Sequence, residues 1–302
     1  YGTMRSAGLA GELQERHGIE LNGIILLSSV LDYMTKGYVP GNDIPYPTFL
    51  PTFTATAWYH KKLPADLQAM PIDQAVAQSR TFSWGEYIAA LHKGNTLTDA
   101  ERKAVAQKVA RFSGLSAEFV ERANLRVSDM RFREELLRDR RVSVGRLDGR
   151  FTGVDADAAR ETQEYDPANT ALQGAYTALF SDYAKNTLKF TLDLPYFTSG
   201  AVQPWSYSDF QNRYLNLVDT LRSAMARNPT LKVLVANGYF DMATPFSGTE
   251  YTFTHMAFEP SISQRVQFTY YEAGHMVYVR PSMHKKLKAD VSAFITGASH
   301  IQ

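Results

Sequence analysis

Asp241 and His275 each stand a few residues beyond a short apolar run, 231–236 (LKVLVA) for the first and 265–271 (RVQFTYY) for the second. Both runs read as strands of a parallel sheet, and ligand sites on open parallel sheets lie beyond the carboxyl ends of the strands. A carboxylate that accepts from one imidazole N–H fixes the tautomer and stabilises the imidazolium, so such a pair is two thirds of an acyl-transfer triad. On sheets of this kind the triad runs in chain order Ser, Asp, His, with the Ser on a strained Gly-x-Ser-x-Gly turn that leads straight into a helix. Tyr1-Gly2, directly before a predicted helix over 3–17, fits the last two positions of that turn. The nucleophile is then expected immediately before Tyr1, outside the 302 residues of the chain.

The elements that would position these groups follow from hydrophobic spacing. The run 23–30 (GIILLSSV) lacks alternation and reads as a strand buried on both faces. Proline-rich and aromatic sequence follows, then short amphipathic helices, one of them opened by the capping box Thr98 and Glu101. A charged helix is predicted over 128–141 and a long amphipathic one over 207–226, with Phe210, Tyr214, Leu217, Val218 and Leu221 on one face. Helices over about 246–256 and 282–295 complete the chain. The fold class expected is α/β, divided into a core piece (1–34), a mostly helical insertion (35–200) and a second core piece (201–302).

Composition narrows the partners. With 44% hydrophobic and 21% charged residues the chain is that of an ordinary globular protein. Lys and Arg total 32 against 31 Asp and Glu, a net charge of +1, so nucleic acid is not an expected partner. The Arg-rich stretch 122–150 is interleaved with Asp129, Glu134, Glu135, Asp139 and Asp148 and reads as a solvated helix surface. No apolar run reaches the roughly 20 residues of a membrane span. There is no Cys, hence no disulfide and no thiolate site.

Other chemistry-bearing residues have weaker claims. Asp155 and Asp157 lack the Gly and Glu of a calcium loop, and His17, His60, His92, His255, His284 and His300 show no zinc-type pairing, so no metal is expected. Ser143 follows Arg141-Val142, not Gly-x, and reads as a surface hydroxyl. Ser28 and Ser29 end a strand, where hydroxyls bond nearby carbonyls. Thr244-Pro245 makes a better start for the next helix than Asp241 does, which leaves the carboxylate free for other work.

Taken together, Tyr1-Gly2-Thr3, the run 23–30, Asn237-Gly238-Tyr239-Phe240-Asp241-Met242-Ala243-Thr244-Pro245 and Glu272-Ala273-Gly274-His275-Met276-Val277 resemble a bacterial branch of the serine carboxypeptidase family. The similarity extends over the chain, and Ala-Gly-His-Met is its most specific marker. The resemblance implies an α/β-hydrolase fold with a helical cap that roofs the pocket. It places the catalytic Asp at Asp241 and the catalytic His at His275, an oxyanion-hole N–H at Tyr1, and a leaving-group-pocket residue at Met276. It implies a peptide substrate, no cofactor, and an exported, periplasmic or extracellular, setting. The Ser, the Glu before it and the upstream glycine-rich oxyanion segment are not in the chain, and family members usually carry disulfides. The chain is therefore expected to be the C-terminal portion of a longer enzyme, to have the N-terminal portion as a partner, and to be inactive by itself. An esterase or acyltransferase with the same triad, or a binding module that has lost its nucleophile, are the alternatives.

Overall fold

The computed structural model describes residues 1–194, 196 and 204–299, so His300 and the expected junction at 200/201 lie outside the described residues. The fold class is α/β. Strands β1 (Gly23–Leu27), β4 (Lys232–Gly238) and β5 (Val266–Tyr271) form a parallel sheet in the order β1-β4-β5, and β2 (Ser143–Val144) pairs antiparallel with β3 (Thr152–Gly153). Between β1 and β4 the described chain is mostly helical.

Helix Gly2–His17 forms as expected, closed by Gly18 in the left-handed region (φ 62°), where a residue without Cβ meets no steric cost. Its Ala7 and Ala10 pack with Leu221 and Met225 of helix Val218–Arg227 onto Ile24, Leu26, Val233 and Val235, covering one face of the sheet. The opposite face is only partly covered by helix Pro281–Ser299, whose Phe294 ring lies against Gly23. For this reason β1 is not buried on both faces: Ile25 is 37% exposed while Leu26 is fully buried, and β1 sits at one edge of the described sheet.

A second core fills the helical segment, built on Phe49, Phe53, Leu91, Val105 and Phe132, with the Phe53 and Phe132 rings stacked 4.0 Å apart. Met242, from the loop after β4, packs into this core and links it to the sheet. The Thr98 and Glu101 capping box is present at the start of helix Asp99–Ser113.

Several elements differ from the sequence expectation. The helix expected over 207–226 begins only at Val218. Upstream, Leu217 N–H donates to Leu31 O, Tyr33 N–H donates to Leu215 O, and Asn216 Oδ1 accepts from Val218 N–H, so 215–217 is drawn out alongside residues 31–33. The charged helix stops at Glu135, with a 3-10 turn Arg138–Arg140 and a left-handed Arg141 (φ 57°) after it. Within it Asp129, Arg133 and Glu134 are buried, so the stretch is not uniformly a solvated surface. Ser143 is likewise buried, not at the surface, because β2 packs against helix Asp129–Glu135. No helix among the described residues is long and apolar enough to cross a membrane.

Candidate active site

The loops that follow β4 and β5 bring Asp241 and His275 together. His275 Nδ1 lies 2.8 Å from Asp241 Oδ2, and since an ionised carboxylate only accepts, Nδ1 carries the hydrogen. That tautomer leaves Nε2 as the basic nitrogen, and no hydroxyl among the described residues hydrogen-bonds to it. Asp241 is 1% exposed, whereas the His275 side chain is 34% exposed, so the pair is closed at the acid and open at the base.

The carboxylate is not idle on its other side. Oδ1 accepts the amides of Ala243 (2.8 Å) and Thr244 (2.9 Å), fixing the loop before helix Phe246–Thr254, which starts at Pro245 without a side-chain cap. Asp241 thus orders its own loop with one oxygen and faces the imidazole with the other. The Thr244 hydroxyl reaches Asp241 Oδ2 at 2.6 Å, Ser28 O at 3.1 Å and His275 Nδ1 at 3.2 Å. Burial alone would raise the Asp241 pKa; the His275 charge, its hydrogen bond and the Thr244 donors outweigh it, and the carboxyl is held below its ordinary range.

The end of β1 gathers the remaining parts. Ser28 Oγ donates to His275 O at 2.6 Å, as expected of a strand-end hydroxyl, and Ser28 itself is left-handed (φ 52°), a conformation uncommon outside glycine. Thr249 Oγ1 donates to Ser29 O at 2.8 Å, and Thr3 Oγ1 donates to Val30 O at 3.1 Å. The start of helix Gly2–His17 therefore meets the same strand end as the Asp241 and His275 loops.

Tyr1 is exposed, its ring edge-on to Trp205 at 4.9 Å and beneath the Arg5 guanidinium. Lys36 donates to Ala243 O, and its pKa is lowered to about 8, chiefly by burial and then by Arg146, against the opposing pull of Asp241 and Asp129. Met276, partly buried, precedes the 3-10 turn Val277–Val279.

Sequence reasoning missed Thr244 as a member of the site, although an Asp followed three residues later by Thr is a spacing that closes hydroxyl-to-carboxylate contacts in a turn. It also missed Lys36 and the segment 146–150, for which no local signal exists. Asp155 and Asp157 are spent on local amides, of Glu164 and Ala159 respectively. Among the described residues no group of acidic and histidine side chains could hold a metal ion. A cavity of 420 Å³ lined by Phe119, Arg122, Met130, Glu134 and Arg138 belongs to the helical segment, and none of its walls comes from the Asp241 or His275 loops.

No known protein family, no curated protein and no solved structure matches this chain.

Proposed function

We propose that this chain supplies the acid and base of a serine-type carboxypeptidase with an α/β-hydrolase fold, the nucleophilic Ser being the residue immediately before Tyr1. The observation that carries the reading is the 2.8 Å contact between His275 Nδ1 and buried Asp241 Oδ2. Supporting it, the two residues follow adjacent parallel strands in the chain order of such triads, and Thr3 is tied to Val30 at the strand end where both loops converge.

In the proposed reaction, Nε2 of His275 takes the Ser hydroxyl proton as the oxygen attacks the carbonyl carbon of the C-terminal peptide bond. The imidazolium, stabilised by Asp241, gives that proton to the departing amine, leaving an acyl-enzyme. Water, deprotonated by the same nitrogen, then releases the acyl group and restores the Ser. The Tyr1 N–H serves as one donor to the oxyanion, Met276 lines the leaving-group side, and the helical segment roofs the site.

The test is fluorophosphonate labelling of protein expressed from the reading frame that includes the codons before Tyr1. Stoichiometric labelling at the residue adjoining Tyr1, abolished in His275→Ala, is expected. A non-Ser codon there, or no labelling, rejects the reading. Peptides with free and amidated C-termini then separate a carboxypeptidase, which needs the free carboxylate, from an esterase or acyltransferase.

A further inference from the structure

Five consecutive residues from the middle of the chain lie against the Asp241 and His275 loops and bond to both. Met242 N–H donates to Arg146 O at 3.0 Å and Gly149 N–H donates to Phe240 O at 2.9 Å, so both chain neighbours of Asp241 are held. On the other side His275 N–H donates to Leu147 O at 2.6 Å, and Gly274 N–H donates to Asp148 Oδ2 at 3.1 Å. Arg150 extends the second set, pairing with the Asp148 carboxylate at 2.6 Å and donating to Glu272 O at 3.0 Å.

The segment is itself anchored. Asp166 accepts the amides of Arg146 (2.9 Å) and Leu147 (3.0 Å), and buried His60 donates from Nε2 to Gly149 O at 2.8 Å. Burial keeps His60 below its ordinary pKa, and its Nε2–H faces the Gly149 carbonyl. Contact is close enough to exclude a methyl group: a Cβ on Gly274 would lie 2.4 Å from Leu147 O, and one on Gly149 would lie 2.6 Å from Thr56 Oγ1. A segment bonded to two loops and fixed to a third region braces them, beside their own direct bond from Phe240 N–H to Ala273 O at 3.0 Å.

We propose that residues 146–150 are the element that holds Asp241 and His275 in register, with Asp148 as the positioning residue that fixes the His275 backbone through Gly274. The benefit to catalysis rests on the hydrolase reading above; the effect on the Asp241 to His275 hydrogen bond does not.

Proton NMR of the intact protein tests it through the far-downfield Nδ1–H resonance of His275, identified by its loss in Asp241→Asn. In Asp148→Ala that resonance should move upfield and its exchange with water should quicken by about tenfold or more, the scale of one lost charge-assisted hydrogen bond. Asp148→Asn, which keeps an oxygen for Gly274 N–H, should restore most of the original behaviour. A folded Asp148→Ala protein with resonance and exchange unchanged overturns the proposal. Should Asp148→Ala not fold, amide exchange in the unaltered protein decides: Gly149, Met242, Gly274 and His275 should exchange as one unit, and scattered rates overturn it. Fluorophosphonate labelling should slow about tenfold in Asp148→Ala if the hydrolase reading holds. If the unaltered protein takes no label while the NMR shifts are as expected, the hydrolase reading falls and the positioning element stands.

Discussion

The Thr244 hydroxyl binds Asp241 Oδ2 at 2.6 Å while also lying 3.1 Å from Ser28 O, so one small side chain joins the buried carboxylate to the end of β1. A hydroxyl has one hydrogen, and both of these neighbours are acceptors. It can satisfy only one at a time, and the ionised oxygen is the stronger partner.

Replacing Thr244 with Val keeps the shape and removes the donor. Unfolding free energy should fall by ~1–3 kcal/mol, the usual cost of depriving a buried charged acceptor of a partner, and Thr244→Ser should recover most of it. Urea denaturation at neutral pH measures both.

Acid should reveal the depressed Asp241 pKa. Because the folded value lies below the unfolded one, the unfolded chain binds the proton more readily as pH falls. The stability contributed by this carboxylate is complete above the unfolded value of about 3.9 and is lost as pH drops through the folded value. Asp241→Asn should flatten that part of the acid limb in urea melts run from about pH 6 downward.

Lys36 predicts the opposite limb. Its folded pKa of about 8 lies below the ordinary lysine value, so the folded protein releases this proton before the unfolded chain does. Stability relative to Lys36→Met should therefore rise by up to ~3 kcal/mol between about pH 8 and pH 10.4, the unfolded lysine value, and be level below that window. Paired denaturation curves across the range would show it; a difference independent of pH contradicts the burial of this ammonium.

Gly274→Ala should be costly, because the new methyl group would lie 2.4 Å from both the Asp148 Cβ and Leu147 O. Overpacking of this kind costs typically ~1–3 kcal/mol, and here the backbone carbonyl leaves little room to yield. A lowered melting temperature, together with loss of the His275 downfield proton, is the expected outcome.

What could be read in the sequence was what local pattern encodes. Apolar runs announced β4 and β5, and position just beyond them was enough to select Asp241 and His275, which the structure brings into contact. The helix Gly2–His17 and the capping box at Thr98 were legible for the same reason. Amphipathic spacing misled over 207–217, where 208–210 closes only a 3-10 turn and 215–217 pairs with residues 31–33. It misled again at Ile25, since an unbroken apolar run cannot say how well a neighbouring helix covers it. Asp148 was invisible as a site residue because its partner Gly274 is 126 positions away. Read locally, Asp148 and Arg150 are only two more charges in a charged stretch.

The turn between β2 and β3 bonds to both loops, so the helical region and the sheet are not independent pieces of the fold. A chimaera that imports foreign helices would have to retain 145–151, together with His60 and Asp166 that seat it, or the loops bearing Asp241 and His275 would lose the bonds that tie them to the middle of the chain.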